Sequence, residues 1–224
     1  MSGPRTAIVG AGRMGQGIGL ALAAAGWDVT MLARTAKPVP PPLRLLTGAI
    51  PGEVLRQTPL LLIATPDDRI GPAAATLAES GGLGPDHTVL HLSGLLDRSA
   101  LAPLTRTGAA LGSFHPLQTI AEPATAPDRL RGAFAGIEGD AGALAAGQRI
   151  AAALGMTAVP LDAELVAEDH VAKLDGMWEE GFFLQFFESG GGVVVIHINL
   201  LLRAPAKGEW RNDCTHLQRE KERG

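Results

Sequence analysis

One cysteine, Cys214, stands alone in 224 residues, so no internal disulfide can staple the chain, and a reducing cytoplasm is the expected setting. The sequence opens without a charged-then-apolar leader ending in a small-residue cleavage site. Long apolar runs are missing as well. The longest stretch that could be mistaken for a membrane span, residues 193–202, numbers ten, includes His197 and Asn199, and falls short of the roughly 20 needed to cross a bilayer. A soluble chain with no membrane partner is expected. Charge of one sign is scarce too, since 19 basic and 23 acidic residues give a net charge of −4 and a pI near 5.9. That leaves no basic surface dense enough for a phosphate backbone, which demotes nucleic acid as a partner. Against these absences, hydrophobic residues reach 46% and charged ones only 19%, which excludes a disordered chain. The length suffices for one domain, or one domain with a short appendage, around a sizeable core.

Short apolar runs alternate with alanine-rich helical stretches through most of the chain, the pattern of strands and helices wound into a parallel sheet. Residues 6–9 read as a first strand, 14–25 as a helix and 28–33 as a second strand, with Gly26 where a helix-ending glycine would sit. These make one complete βαβ unit. The run KPVPPP at 37–42 must be loop, because proline lacks the amide donor and fixes its own φ. Later strands read at 60–64, 88–92, 109–114 and 133–137, and a last one at 156–161 follows a helix at 141–154. The expected fold class is α/β, a doubly wound, mostly parallel Rossmann sheet in residues 1–165, followed by a short atypical C-terminal segment at 166–224.

Beyond about Asp175 the composition changes abruptly. Alanine falls from 34 in residues 1–175 to 2 in residues 176–224, and four of the six phenylalanines gather there with Trp178, Trp210 and Cys214. This stretch is either a small appended element with its own FFLQFF and VVVIHINLLL apolar clusters, or a truncated, frame-shifted or joined fragment never selected to pack on the domain before it. The closing QREKERG alternates in charge sign, as a solvated end does.

Between the first strand and the first helix lies Gly10-Ala11-Gly12-Arg13-Met14-Gly15, a GxGxxG. Gly10 allows a tight turn, Gly12 lets the backbone approach a pyrophosphate, and Gly15 brings helix and strand together, while the helix start offers free amides to phosphate. The motif alone is weak, but here it has the strand before it and the helix after it that dinucleotide binding requires. Gly17 and Gly19, inside the helix, each cost about 1 kcal/mol against alanine; either close packing compensates or the helix tolerates them. At the end of the second strand, where an NAD site carries an acid for the ribose 2′-hydroxyl, this chain has Arg34, with Thr35 and Lys37 after it. Asp28 lies too early to reach. A guanidinium there matches a 2′-phosphate in charge and fork geometry, so NADP is favoured over NAD; the alternative is that Arg34 and Lys37 are solvated loop charges.

The segments AIVGAGRMGQGIGLALAAAGWDVTMLAR at 7–34, LIATPDD at 62–68, HLSG at 91–94 and GSFHPLQT at 112–119 together resemble a group of Rossmann-like oxidoreductases. The group is similar to NADP:deazaflavin-coenzyme reductases and pyrroline-5-carboxylate reductases and carries a C-terminal helical domain of unknown function. The resemblance covers roughly residues 5–165, and HLSG followed by GSFHPLQT is its more specific part. Prephenate dehydrogenases and related hydroxyacid dehydrogenases show a similar His-Pro, where the resemblance implies a histidine facing the substrate. In such families the helical domain completes the pocket and builds a dimer. The tail here is too short and too poor in alanine for that pattern, so a homodimer is expected only if this segment permits it.

His115 has the strongest claim to a catalytic role, because it follows a strand at the carboxyl edge and an imidazole can exchange a proton with an alcohol or amine as hydride moves. The alternative is a structural histidine held by the turn at Pro116. Ser93, with Gly94, ends the preceding strand at the same edge and could hydrogen-bond a substrate carboxylate or a nicotinamide carboxamide, or only cap a turn. Gln118 and Thr119 are weaker members of the same loop. Asp68 is expected to cap the next helix, whereas the resemblance implies that Thr65 and Pro66 lie beside the nicotinamide or its ribose. His87 and His91 share a strand face but have no third ligand near them, and neither HExxH nor paired CxxC occurs, so no metal is expected. A GxSxG elbow is absent too. The expected activity is NADP-dependent transfer of hydride between nicotinamide and a small carbonyl, imine or hydroxy compound. The rivals are a non-catalytic NADP(H)-binding sensor and a truncated inactive dehydrogenase relative.

Overall fold

The structure, a computed structural model, describes residues 3–161 and, by backbone, the strands at 183–189 and 193–199. Strand β1 (Arg5–Val9), helix α1 (Arg13–Ala24) and β2 (Asp28–Ala33) form the βαβ unit expected from the sequence. The chain then runs through β3 (Arg44–Thr47), α2 (Gly52–Arg56), β4 (Leu60–Ile63), α3 (Asp67–Glu79) and β5 (Thr88–His91). A 3₁₀ segment (Arg98–Thr107) leads to β6 (Ala110–Pro116), and a short α4 (Ala126–Leu130) precedes β7 (Phe134–Gly139). Helix α5 (Ala141–Leu154) and β8 (Thr157–Pro160) follow.

These eight strands form one sheet in the order β3-β2-β1-β4-β5-β6-β7-β8. Every neighbouring pair is parallel except β6 and β7. The order reverses at β1, which pairs with β2 on one side and β4 on the other, so the loops after β1 and β4 diverge there and open a crevice. Burial on both faces explains the near-continuous apolar strands. Ile8, Leu62, Leu90, Phe114 and Ile137 point to the face covered by α1, α4 and α5, while Ala7, Leu61, Ile63, Val89 and Leu111 point to the face covered by α2, α3 and the 3₁₀ segment. Each fully buried Leu or Ile contributes about 1.5–3 kcal/mol, which holds this alternation in register.

Inside α1 the small residues are there for packing. A Cβ on Gly17 would lie 2.9 Å from both Ala126 Cβ and Ile120 Cγ2, so close approach of the 120–126 segment, rather than tolerance, accounts for that glycine. Gly26, with φ of +86°, lies just past the last helical turn, and Trp27 N–H donates to Leu22 O at 3.0 Å, closing the helix end.

Strand β3, the helices α2 and α4 and the 3₁₀ segments were not foreseen. Strand β3 is four residues long and mostly exposed at the sheet edge, so it carries no burial pattern; α2 and α4 have five residues each, and the 3₁₀ segments lack a helical period. Strand β7 occupies its expected place but runs antiparallel to β6, because the residues between them hold only one 3₁₀ turn (Pro123–Thr125) and five helical residues, too little for a parallel crossover. Of the 166–224 segment, β9 (Phe183–Ser189) and β10 (Val193–Asn199) pair antiparallel in a two-stranded sheet of their own. They coincide with the FFLQFF and VVVIHINLLL clusters, in which no strand period was read; the boundary near residue 165 and the rest of that segment lie outside the described residues.

Candidate functional site at the carboxyl edge

The residues singled out in the sequence come from the loops at the carboxyl ends of β1, β2, β4 and β5 and from the end of β6. Gly10 turns the chain out of β1 with φ of +112°, and a Cβ there would lie 2.6 Å from Ala64 O at the end of β4. Gly15 is equally constrained, since its Cβ would meet Gly10 O at 2.3 Å. Gly12 differs. It caps the start of α1 with extended backbone, and no heavy atom lies within 4 Å of where its Cβ would project. Within the protein, then, packing explains Gly10 and Gly15 and does not explain Gly12. No side chain caps α1 and no acid occupies its first turn, so its leading amides face outward with the positive end of the helix dipole. Arg13 is exposed and Met14 half-buried beside these amides.

Gln16, which the sequence reading missed, ties this loop to the proline-rich one: its Nε2 donates to Ala11 O at 3.0 Å and to Pro38 O at 3.3 Å. Only a contact 22 residues away in sequence reveals it. Arg34, Thr35 and Lys37 are exposed past the end of β2, and among the described residues neither cation has a hydrogen bond or an ion pair. Asp28 is engaged elsewhere, accepting from Arg44 Nη2 at 2.5 Å and lying 4.0 Å from Arg5 Nε.

Across the crevice, Thr65 follows β4, and its Oγ1 is buried without a hydrogen-bond partner. An unmet buried hydroxyl is destabilising by about 1–3 kcal/mol, so its place beside the glycine loop marks a position suited to a ligand's polar group. Pro66 is the N-cap of α3, and Asp67 and Asp68 stand in the first turn with no side-chain cap bond. This corrects the expected capping role of Asp68. Proline at the cap puts both acids one step too far along, where they complement the helix dipole instead, and Asp68 pairs with Arg69 at 3.2 Å.

His115 lies near the end of β6, half-buried, with Nδ1 3.3 Å from Leu92 O. Because a carbonyl can only accept, that nitrogen carries the proton and Nε2 keeps its lone pair. Burial holds the imidazole below its ordinary 6.5, partly opposed by the Leu92 carbonyl and by Asp67. Ser93 takes the turn-capping alternative: its Oγ accepts from Leu95 N at 3.0 Å and Leu96 N at 3.2 Å, leaving its proton to donate. Gln118 Nε2 donates to Arg129 O of α4 at 3.2 Å and its Oε1 accepts from Thr119 N at 3.0 Å, so the Gln118 side chain is engaged in tying its loop to α4.

His91 is fully buried on β5, its Nε2 3.0 Å from Asp97 O and its Nδ1 without a partner; burial depresses its pKa. His87 bonds Leu55 O at 2.9 Å through Nε2. Both act within the fold, and among the described residues no group of three His, Cys, Asp or Glu could hold a metal ion. Nor is any described helix long and apolar enough to cross a membrane.

Strand order, the reversal at β1 and a glycine loop opening onto it define a doubly wound α/β domain. Residues 3–116 match the Rossmann-like domain family, and the chain belongs to that family. No curated protein matches it. Among solved structures it is similar to Synechocystis arogenate dehydrogenase, with a TM-score of 0.57 and 16% identity over 72% of this chain and 61% of that one. It is also similar to Plasmodium falciparum pyrroline carboxylate reductase with NADP bound, with a TM-score of 0.53 and 10% identity over 80% of this chain and 66% of that one. A reductive aminase from Aspergillus terreus in complex with NADPH4, cyclohexanone and allyl amine gives 0.54 and 22% over 78% and 61%. At these identities the likeness is one of fold. The chain spans about three fifths of the length of the arogenate dehydrogenase.

Proposed function

We propose that this chain is an NADP-dependent oxidoreductase that transfers hydride between nicotinamide and a small carbonyl, imine or hydroxy compound. The observation that carries the reading is Gly12, a glycine whose missing side chain no neighbour requires, at a helix start whose amides are free. Those are the needs of a bound pyrophosphate. Arg34, Thr35 and Lys37 would hold a 2′-phosphate, and Thr65 with Pro66 would line the nicotinamide end, where the Thr65 hydroxyl lacks a partner. The dinucleotide would supply the hydride. His115 takes or returns the proton at Nε2, its tautomer fixed by Leu92 O, and the Ser93 hydroxyl donates a hydrogen bond to the substrate oxygen or nitrogen while keeping its proton. Support from solved structures is that relatives in fold carry dehydrogenase or reductase names, and one holds NADP.

The test is direct. The protein is mixed with NADPH and a panel of ketones, aldehydes and cyclic imines, and with NADP⁺ and the matching alcohols and amines, and nicotinamide absorbance is followed. Turnover with at least one class is expected, and saturable binding of NADPH without turnover across the panel would favour a sensor.

A further inference from the structure

Gly94 is the second residue after Leu92 on the loop leaving β5, and it has no structural reason of its own to be glycine: its φ is not among the positive values that exclude side chains. What it meets is His115. A Cβ on Gly94 would stand 2.4 Å from His115 Nε2, 2.5 Å from Cε1 and 2.8 Å from Cδ2. The far end of the imidazole therefore occupies the space a side chain at 94 would fill. The near end is held by the same loop through Leu92 O and Nδ1 at 3.3 Å.

We propose that Gly94 is a positioning residue for His115, its bare Cα forming the seat that, with the Leu92 carbonyl, fixes where Nε2 stands. Two backbone points two residues apart hold one ring, Leu92 O at Nδ1 and Gly94 against the ring face beside Nε2. Strand β6 pairs with β5 as far as Ser113 and with β7 through His115↔Gly136 and Pro116↔Ala135, so the backbone that carries the ring is held in the sheet. A methyl group at 94 is accommodated by turning the ring, which breaks the long Nδ1 bond and moves Nε2. A shift of about 1 Å at a reacting group can lower a rate by about 100-fold. The catalytic half of this inference rests on the proposed function; the seat itself does not.

Three readouts separate them. In ¹⁵N-histidine spectra the unmodified protein shows His115 as the Nδ1–H tautomer, titrating below 6.5, and Gly94→Ala mixes the tautomers and returns the midpoint toward 6.5. In thermal melts Gly94→Ala lowers the midpoint in the His115 background and has no such effect in His115→Ala, where the ring is gone. An unchanged tautomer and midpoint, or equal loss of stability in both backgrounds, overturns the proposal. Once a substrate is known, Gly94→Ala lowers kcat about 100-fold. If the spectra and melts hold while His115→Ala keeps full turnover, the seat stands and the catalytic reading of His115 falls.

Discussion

The two sides of the carboxyl edge are built from different materials. On the β1 side the candidate site is backbone: Gly10 and Gly15 are forced by contacts under 3 Å, Gly12 is left open, and α1 offers its free amides. On the β5–β6 side it is side chains, His115 and Ser93, each held by a carbonyl or amide of the 92–96 loop. Under the proposed function, the backbone half would bind what every dinucleotide shares, and the side-chain half would select the substrate and handle its proton. Damage to the two sides should therefore separate into lost binding and lost turnover.

The largest effect should follow from removing the imidazole. His115→Ala is expected to lower turnover by about 10²–10⁴-fold, the usual contribution of a placed acid or base, with the NADPH dissociation constant unchanged in a calorimetric titration. Loss of both together would show that the ring supports the fold on both sides of the edge.

Arg34→Ala comes next. Charge-assisted bonds to a phosphate contribute about 1.5–3 kcal/mol, so NADPH should bind about 10- to 100-fold more weakly while NADH affinity stays constant. Equal loss for the two dinucleotides would place Arg34 elsewhere than at the 2′-phosphate.

Gly15→Ala tests the crowded half of the glycine loop. With Gly10 O 2.3 Å from the new Cβ, the helix must move, and a loss of about 1–3 kcal/mol in denaturant unfolding is expected even without ligand. Unchanged stability would mean that the loop is looser than its contacts imply.

The smallest effect is one of pH. Burial depresses both His91 and His115, so just below the ordinary 6.5 the unfolded chain binds protons that the folded one does not. Their contribution to stability is fully present above about pH 6.5 and is lost as pH falls through their lowered folded values. Melting temperatures measured from pH 8 to 5.5 should fall toward the acid end, and less steeply in His91→Asn. Identical slopes in the two proteins would remove His91 from the account.

How much of this was legible in the sequence follows the same division. The glycine loop could be read because a turn, a close contact and an open approach each demand glycine at a fixed spacing, and the strand before it ends on the apolar run Ala7-Ile8-Val9. Edge strand β3 escaped because Arg44, Leu46 and Thr47 are exposed and leave no burial period. The direction of β7 escaped because it depends on what the residues before it fail to form. Asp68 was misassigned because a cap depends on where the helix begins, and Pro66 begins it. His115 was visible through its motif, but its seat on Gly94 joins residues 21 positions apart in the chain and exists only once β5 and β6 are paired.

The central claim is that Gly12 is reserved for a dinucleotide, and Gly12→Ala measured twice tests it most directly. Its Cβ meets nothing within 4 Å, so unfolding without ligand should shift by less than about 1 kcal/mol, the small difference between glycine and alanine at a helix start. Calorimetric titration of NADPH should show saturable binding to the unmodified protein and at least about tenfold weaker binding to the variant, since the new methyl group stands where pyrophosphate must approach. Undiminished NADPH affinity in a normally stable Gly12→Ala protein would contradict the account.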